Sequence, residues 1–285
     1  MAEVVLGTSA SARAWRKLRR DPLTIAGAGI VGVVLAVSLA APLLAPYDPA
    51  AISVVNRLQP PSAEHLLGTD ELGRDAFSRL LYGGRVSLLV GVAVVAFRAL
   101  IGVSVGVVAG YFGGRVDAFL MRVVDVFLTF PGILLALGIM AIWGPGLDRV
   151  IVALSVTGWA QFARLVRAEA LALREREYVA AARALGSSSL RVMALHVVPN
   201  LLPVIIVYSA VNVSIPIVAE AALSFLGLGI QPPEFSWGSM LSGAHAYMRT
   251  AWWLALFPGL TITFTVIGFN LLGDGVRDAL DPRIR

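Results

Sequence analysis

The stretch EREYVAAARALGSSSLRVMALHVVPN, Glu175 to Asn200, decides how the rest of the chain is read. It carries Glu175, Arg176, Glu177, Arg183 and Arg191, yet apolar runs long enough to cross a bilayer lie on both sides of it. A segment with that charge density sits outside the lipid. Within it, Tyr178, Ala181, Ala182 and Leu185 fall at i, i+3, i+4 and i+7, which is one face of a helix. The face is shallow, so another surface can approach the backbone closely. Gly186 is placed to stop the helix from the C′ position. Ser187 to Ser189 are placed to cap a second helix, and Pro199 is expected to break or kink the chain at the membrane edge. The spacing predicts a short helix, a turn and a second helix along one side of the membrane. Two readings fit the shallow face: a helix that rests on lipid, and a docking surface for another protein.

Working outward, the 285 residues are 58% hydrophobic and 14% charged, whereas soluble domains carry about 25% charged residues. The composition is that of an integral membrane protein. Residues 23–45 contain no charge and exceed the roughly 20 residues a spanning helix needs. The run is too long for a signal peptide, and more spans follow. Five further spans are expected at about 86–110, 117–143, 148–168, 201–223 and 252–272, with long loops at 46–85 and 224–251. The predicted class is an all-α polytopic membrane protein of six transmembrane helices. Its parts are an N-terminal tail (1–22), a first span (23–45), an outer loop (46–85), a core of five spans (86–273) with the charged segment at 169–200, and a C-terminal tail (274–285).

Basic residues set the orientation. With the N-terminus inside, fifteen Lys and Arg fall on the cytoplasmic side and six outside, where five acids of the first long loop offset four of them. Both termini and the Glu175–Asn200 segment are therefore expected to be cytoplasmic. The arginines are spread between spans and form no single basic patch, which argues against nucleic acid. There is no cysteine, so neither disulfides nor thiolate chemistry enter. The only lysine, Lys17, lies in RKLRR, and a Walker A loop needs Gly-Lys-Ser/Thr. The chain cannot supply that kind of ATP site.

Other constellations in the sequence point to no catalytic or metal chemistry. LGTDELGRD (67–75) lacks the ligand spacing of an EF-hand loop, and no metal is expected. His65, His196 and His245 are scattered, and Asp274 and Asp278 lie at the cytoplasmic end of the last span, so no catalytic residue is expected. Trp252 and Trp253 read as interfacial anchors. Arg98 stands apart, because a charge near mid-span costs about 2.5–3.5 kcal/mol on insertion scales. It is read either as structural, in an ion pair or snorkelling, or as lining a translocation path. Asp125 on the following span is the expected partner.

The spacing of Ala180-Ala181-Ala182, Gly186 and Pro199 resembles the "EAA" signature of permease subunits in ABC importers. Ala180 stands where that signature has Glu, and His196 where it has an aliphatic residue. Both departures are common in the peptide-importer branch, whose EYxxAARxLGxS and HxxPN patterns this segment carries. LGTDELGRDAFSRLLYGGRVSL (67–88), GYFGG (110–114), MRVVDVFLTFP (121–131), ARLVR (163–167), EAALSFLGLGIQPPEFSWGSML (220–241) and GDGVRDALDPR (273–283) look like the same branch. The chain thus resembles the C-type permease of dipeptide, oligopeptide and nickel importers over nearly everything after residue 20. The resemblance implies a type I ABC importer permease fold in a bacterial cytoplasmic membrane. It implies that Glu177, Tyr178, Ala181, Ala182, Arg183, Leu185 and Gly186 form a coupling helix that docks on an ATPase. It also implies a homologous B-type permease, two P-loop ATPase subunits or one fused ATPase, and an extracytoplasmic substrate-binding protein as partners. The chain itself would hold no cofactor; ATP and magnesium would bind the ATPase subunits. The cargo implied is dipeptides or oligopeptides, with nickel, glutathione or haem as the alternative within the architecture. A stand-alone carrier or channel would need ionisable residues on several spans, and only Arg98 and Asp125 qualify.

Overall fold

The computed structural model of the chain describes residues 18–280. The terminal tails expected at 1–22 and 274–285 therefore lie partly outside the described residues. Within them the regular structure is helical: α1 (Pro22–Leu39), α2 (Ala41–Leu44), α3 (Ala76–Phe112), α4 (Gly114–Thr129), α5 (Gly132–Trp143), α6 (Leu147–Arg174), α7 (Glu177–Ala184), α8 (Ser189–Val192), α9 (Val198–Asn212), α10 (Ser214–Phe225), α11 (Trp237–Ala244) and α12 (Trp253–Leu280). Five helical stretches are long and apolar enough to cross a membrane, and a sixth is added if the bent pair α4–α5 counts as one span.

The third expected span is the one that differs in shape. It is broken between α4 and α5 by an 84° bend. Pro131 has no amide hydrogen, and the residue before a proline is pushed out of the helical region. Phe130 accordingly sits at φ −86°, ψ 135°. Pro199 behaves otherwise. The chain passes from α8 through a π-helical turn, Met193–Val197, and Pro199 occupies the first turn of α9, where a proline is tolerated.

Helix α3 begins ten residues before the expected span, so Arg79 and Arg85 ride on a helix and not in the loop. Asp75 caps it, accepting the Ser78 N–H at 2.7 Å. The 37 residues of α3 measure about 55 Å at 1.5 Å per residue, well beyond a hydrocarbon core of about 30 Å. The N-terminal extension of α3 carries Gly84, whose absent side chain leaves room for Trp237 and Ser38. Trp237 is 1% exposed; its amide donates to Ser87 Oγ at 3.1 Å and its indole to the Leu80 carbonyl at 2.9 Å. Nearby, the buried Glu220 Oε1 accepts from Ser224 and Ser236 hydroxyls, each at 2.6 Å, and so binds α10 to the start of α11.

The centre of the fold is the seam between α3 and α6. Gly102, Gly106 and Gly110 repeat at every fourth residue on α3. A Cβ at Gly102 would lie 2.3 Å from Phe162 Cβ, one at Gly106 2.6 Å from the Ala163 carbonyl oxygen, and one at Gly110 2.7 Å from Ala170 Cβ. In lipid, helices gain little from the hydrophobic effect and associate through such close packing. Helix α4 is tied to the other side of α6 by a bidentate Arg167–Asp117 pair.

Candidate functional site

The charged segment folds as α7, a tight turn and α8. Helix α7 ends in a Schellman turn: Gly186 takes φ +82°, its N–H donates to the Arg183 carbonyl at 2.9 Å, and the Ser187 N–H donates to the Ala182 carbonyl at 3.1 Å. Only glycine enters that conformation without strain. Ser188 then caps α8, accepting from the Arg191 N–H.

One side of α7 is held by the protein's own core. Val179 and Ala182 pack with Val107, Tyr111, Val166, Ala170, Val192, Met193, Val197 and Leu201. Arg183 also turns back: its guanidinium lies 4.9 Å from the Tyr111 ring centroid and donates to the Arg174 carbonyl at 3.3 Å. The opposite side is open. Glu177, Ala181 and Gly186 are exposed, Tyr178 is 42% and Leu185 87% exposed, and Leu190 on α8 extends the apolar surface.

This corrects the expected face. Tyr178, Ala181 and Leu185 do share one open surface, but Ala182 is 8% exposed and faces inward. Helical spacing alone cannot tell which edge of a wide stripe is covered. Here Val179, three residues earlier, fixes the buried side. Of the seven residues expected at this surface, Glu177, Tyr178, Ala181, Leu185 and Gly186 are brought together on the outside, whereas Ala182 and Arg183 anchor the segment. Val179 and Tyr111 were missed; the one available signal was Val179 lying three residues from Ala182 within an otherwise short-faced helix.

The second expectation, an Arg98–Asp125 pair, is not seen. Arg98 is 8% exposed and reaches α6, where Nε and Nη2 donate to the Leu154 carbonyl at 2.9 and 2.7 Å. Asp125 pairs with Arg164 Nη2 at 2.7 Å on the exposed side of α6. The connection between α3 and α4 is as short as expected, but helix phase decides the outcome. Asp117 and Asp125 are eight residues apart, share a face of α4 and both turn toward α6. Arg98 approaches α6 from α3 across Gly158, where a Cβ would lie 2.2 Å from the guanidinium carbon. Sequence reading missed Gly158, because the need for a bare backbone is visible only once the guanidinium is placed over it.

The residues therefore belong to separate interactions, and their substitutions are expected to act independently. Arg98→Leu and Asp125→Asn should add to within about 0.5 kcal/mol in a double-mutant cycle on complex stability. A coupling well above that would place the two side chains in contact.

Comparison with known proteins agrees with this architecture. Residues 102–285 match the family model described as binding-protein-dependent transport system inner membrane component, and residues 9–61 match the N-terminal TM domain of oligopeptide transport permease C. The chain is 44% identical to the dipeptide transport system permease protein DppC of Bacillus subtilis, over 95% of this chain and 85% of that one. It is 42% identical to the glutathione transport system permease protein GsiD of Pectobacterium atrosepticum, over 95% of this chain and 90% of that one. Among solved structures, a chain of the inward-facing methionine ABC transporter MetNI superposes with a TM-score of 0.57 at 20% identity, covering 71% of this chain and 97% of that chain. That likeness concerns the fold alone. The chain belongs to the binding-protein-dependent transport system inner membrane component family and is a permease of the ABC importer type.

Proposed function

We propose that this chain forms half of the translocation path of an importer for dipeptides or oligopeptides and couples that path to ATP hydrolysis on separate subunits. Its partners in this reading are a homologous B-type permease, two P-loop ATPase subunits or one fused ATPase, and an extracytoplasmic binding protein. The observation that carries the coupling role is the two-sided α7. Its inner side is keyed into the base of α3, α6 and α9, and its outer side offers Tyr178, Ala181 and Leu185 beside a backbone left bare at Gly186. A push on the open side is thereby delivered to three long helices at once. The peptide cargo is supported by the names of relatives such as the B. subtilis dipeptide permease. The glutathione permease of P. atrosepticum supports a second reading, glutathione, which is itself a tripeptide.

The path itself has a candidate wall. Thr157, Gln161 and Arg164 lie on one face of α6, and Gln161 and Arg164 are exposed within a membrane span. Polar side chains in spans face a bundle interior or water and avoid lipid. Uptake of labelled dialanine and trialanine by cells with and without this permease, with glutathione as competitor, tests the cargo. Peptide uptake that depends on the chain supports the first reading; uptake of glutathione alone supports the second.

Orientation belongs to the same proposal. Reporter fusions at Gly146 and Gly238 are expected to be extracytoplasmic and one at Ser188 cytoplasmic, with both termini inside. A cytoplasmic signal from Gly238 would reverse the last third of the topology.

A further inference from the structure

Among the described residues, Arg98 has no acidic partner. Its guanidinium is buried, its two bonds go to one neutral carbonyl, and no carboxylate pairs with it among the described residues. A carbonyl satisfies N–H groups but does not cancel a charge, and only two of five guanidinium N–H groups are used there. The Leu154 carbonyl is shared, since the Thr157 hydroxyl also donates to it at 3.0 Å. The guanidinium lies over the bare backbone of Gly158. Tyr208 of α9 packs on the same stretch of α6, its ring edge-on to Phe162 with the centroids 4.6 Å apart. The Tyr208 hydroxyl stands 3.5 Å from Gln161 Oε1 on the polar face of α6. Gln161 is exposed and Tyr208 half-buried, so these two reach the surface of the chain, while Arg98 behind them is 8% exposed. An uncompensated cation, a phenol and an amide at mid-span make a donor set whose complement is an anion with two oxygens.

We propose that Arg98, Tyr208 and Gln161 form a station for the carboxylate of the cargo as it crosses the membrane; this rests on the peptide reading above. The carboxylate is the part of a peptide least compatible with a low-dielectric passage. Arg98 supplies charge there without a fixed acid to compete for it. The Leu154 carbonyl holds the guanidinium in place between cargo molecules, and Gly158 leaves the guanidinium room beside α6. The station is an uncommitted cation held by a weak neutral acceptor, so it can take a carboxylate and release it.

The test compares trialanine with trialanine amide, which lacks the carboxylate, in proteoliposomes holding the complete importer and saturating binding protein. Arg98→Gln is expected to slow trialanine about tenfold, the scale of a lost hydrogen bond to a charged group, and to leave the amide within about twofold of its own wild-type rate. Tyr208→Phe removes a single hydroxyl and is expected to slow trialanine about fivefold with the amide again unchanged. It decides the matter if Arg98→Gln fails to assemble. Equal slowing of both peptides, or of neither, overturns the station and makes Arg98 a structural residue or the partner of an acid on another subunit. A wild-type complex that carries neither peptide overturns the peptide reading itself, and the station with it.

Discussion

A complex carrying Ala181→Glu is expected to reach the membrane at wild-type levels, assemble poorly with its ATPase and lose nearly all uptake. Ala181 is exposed on the open side of α7 and touches none of the core that holds the helix. A carboxylate there adds bulk and charge to a surface whose use depends on close approach. Disruption at the centre of an interface costs about 2 kcal/mol or more, roughly thirtyfold in affinity. Ala182→Glu is the contrasting case. Ala182 packs among Tyr111, Val166 and Val192, so its variant buries an unpaired charge and should lower the amount of folded protein before coupling is tested. Quantifying membrane-inserted protein alongside pull-down of the ATPase separates the two. Equal loss of folded protein in both variants would contradict the two-sided account of α7.

The other large effect is expected at the α3–α6 seam. Gly106→Leu places a side chain where a Cβ alone would sit 2.6 Å from a backbone oxygen and 2.8 Å from Val166 Cβ. The neighbouring atoms are backbone and Cβ atoms, which cannot step aside, so the helices must separate. Overpacking of this kind costs about 1–3 kcal/mol and occasionally more. Separation here also loosens Arg98 and the α7 anchor, since both depend on the same two helices. The variant should fail to give a stable complex in detergent. Gly138→Ala, at a site with nothing within 4 Å, should behave as wild type. Normal thermal stability of the Gly106→Leu complex would mean that the seam is looser than its geometry.

Much of this was legible in the sequence because lipid imposes simple rules. An uncharged run such as 23–45 must be helix, and a charged run such as 175–200 must lie outside. Gly186 could be placed because a positive φ has few occupants other than glycine. What was not legible depended on three-dimensional phase. Pro199 was expected to break or kink the chain and is instead taken into a first turn, whereas Pro131, inside what was expected to be one continuous span, bends it by 84°. A π turn, Met193–Val197, precedes Pro199, whereas Phe130 before Pro131 is extended. Arg98 and Asp125 were expected to pair across neighbouring helices. Their partners, Leu154 and Arg164, lie on a third helix that no spacing argument could rotate into position. The Glu220–Ser224–Ser236 bond set was hidden for the same reason, since Ser236 is brought in by a loop.

The central claim is that α7 presents Tyr178, Ala181 and Leu185 to an ATPase subunit and hides Val179. The chain contains no cysteine, so single cysteines can be read without background from it. Leu185→Cys, Tyr178→Cys and Val179→Cys, each labelled with a thiol-directed photoreactive probe in the assembled importer, give the most direct measurement. The account predicts cross-links to the ATPase from positions 185 and 178, and little labelling and no ATPase cross-link from 179. Cross-linking from 179 with none from 185, or lipid as the sole product at 185 and 178, would contradict it.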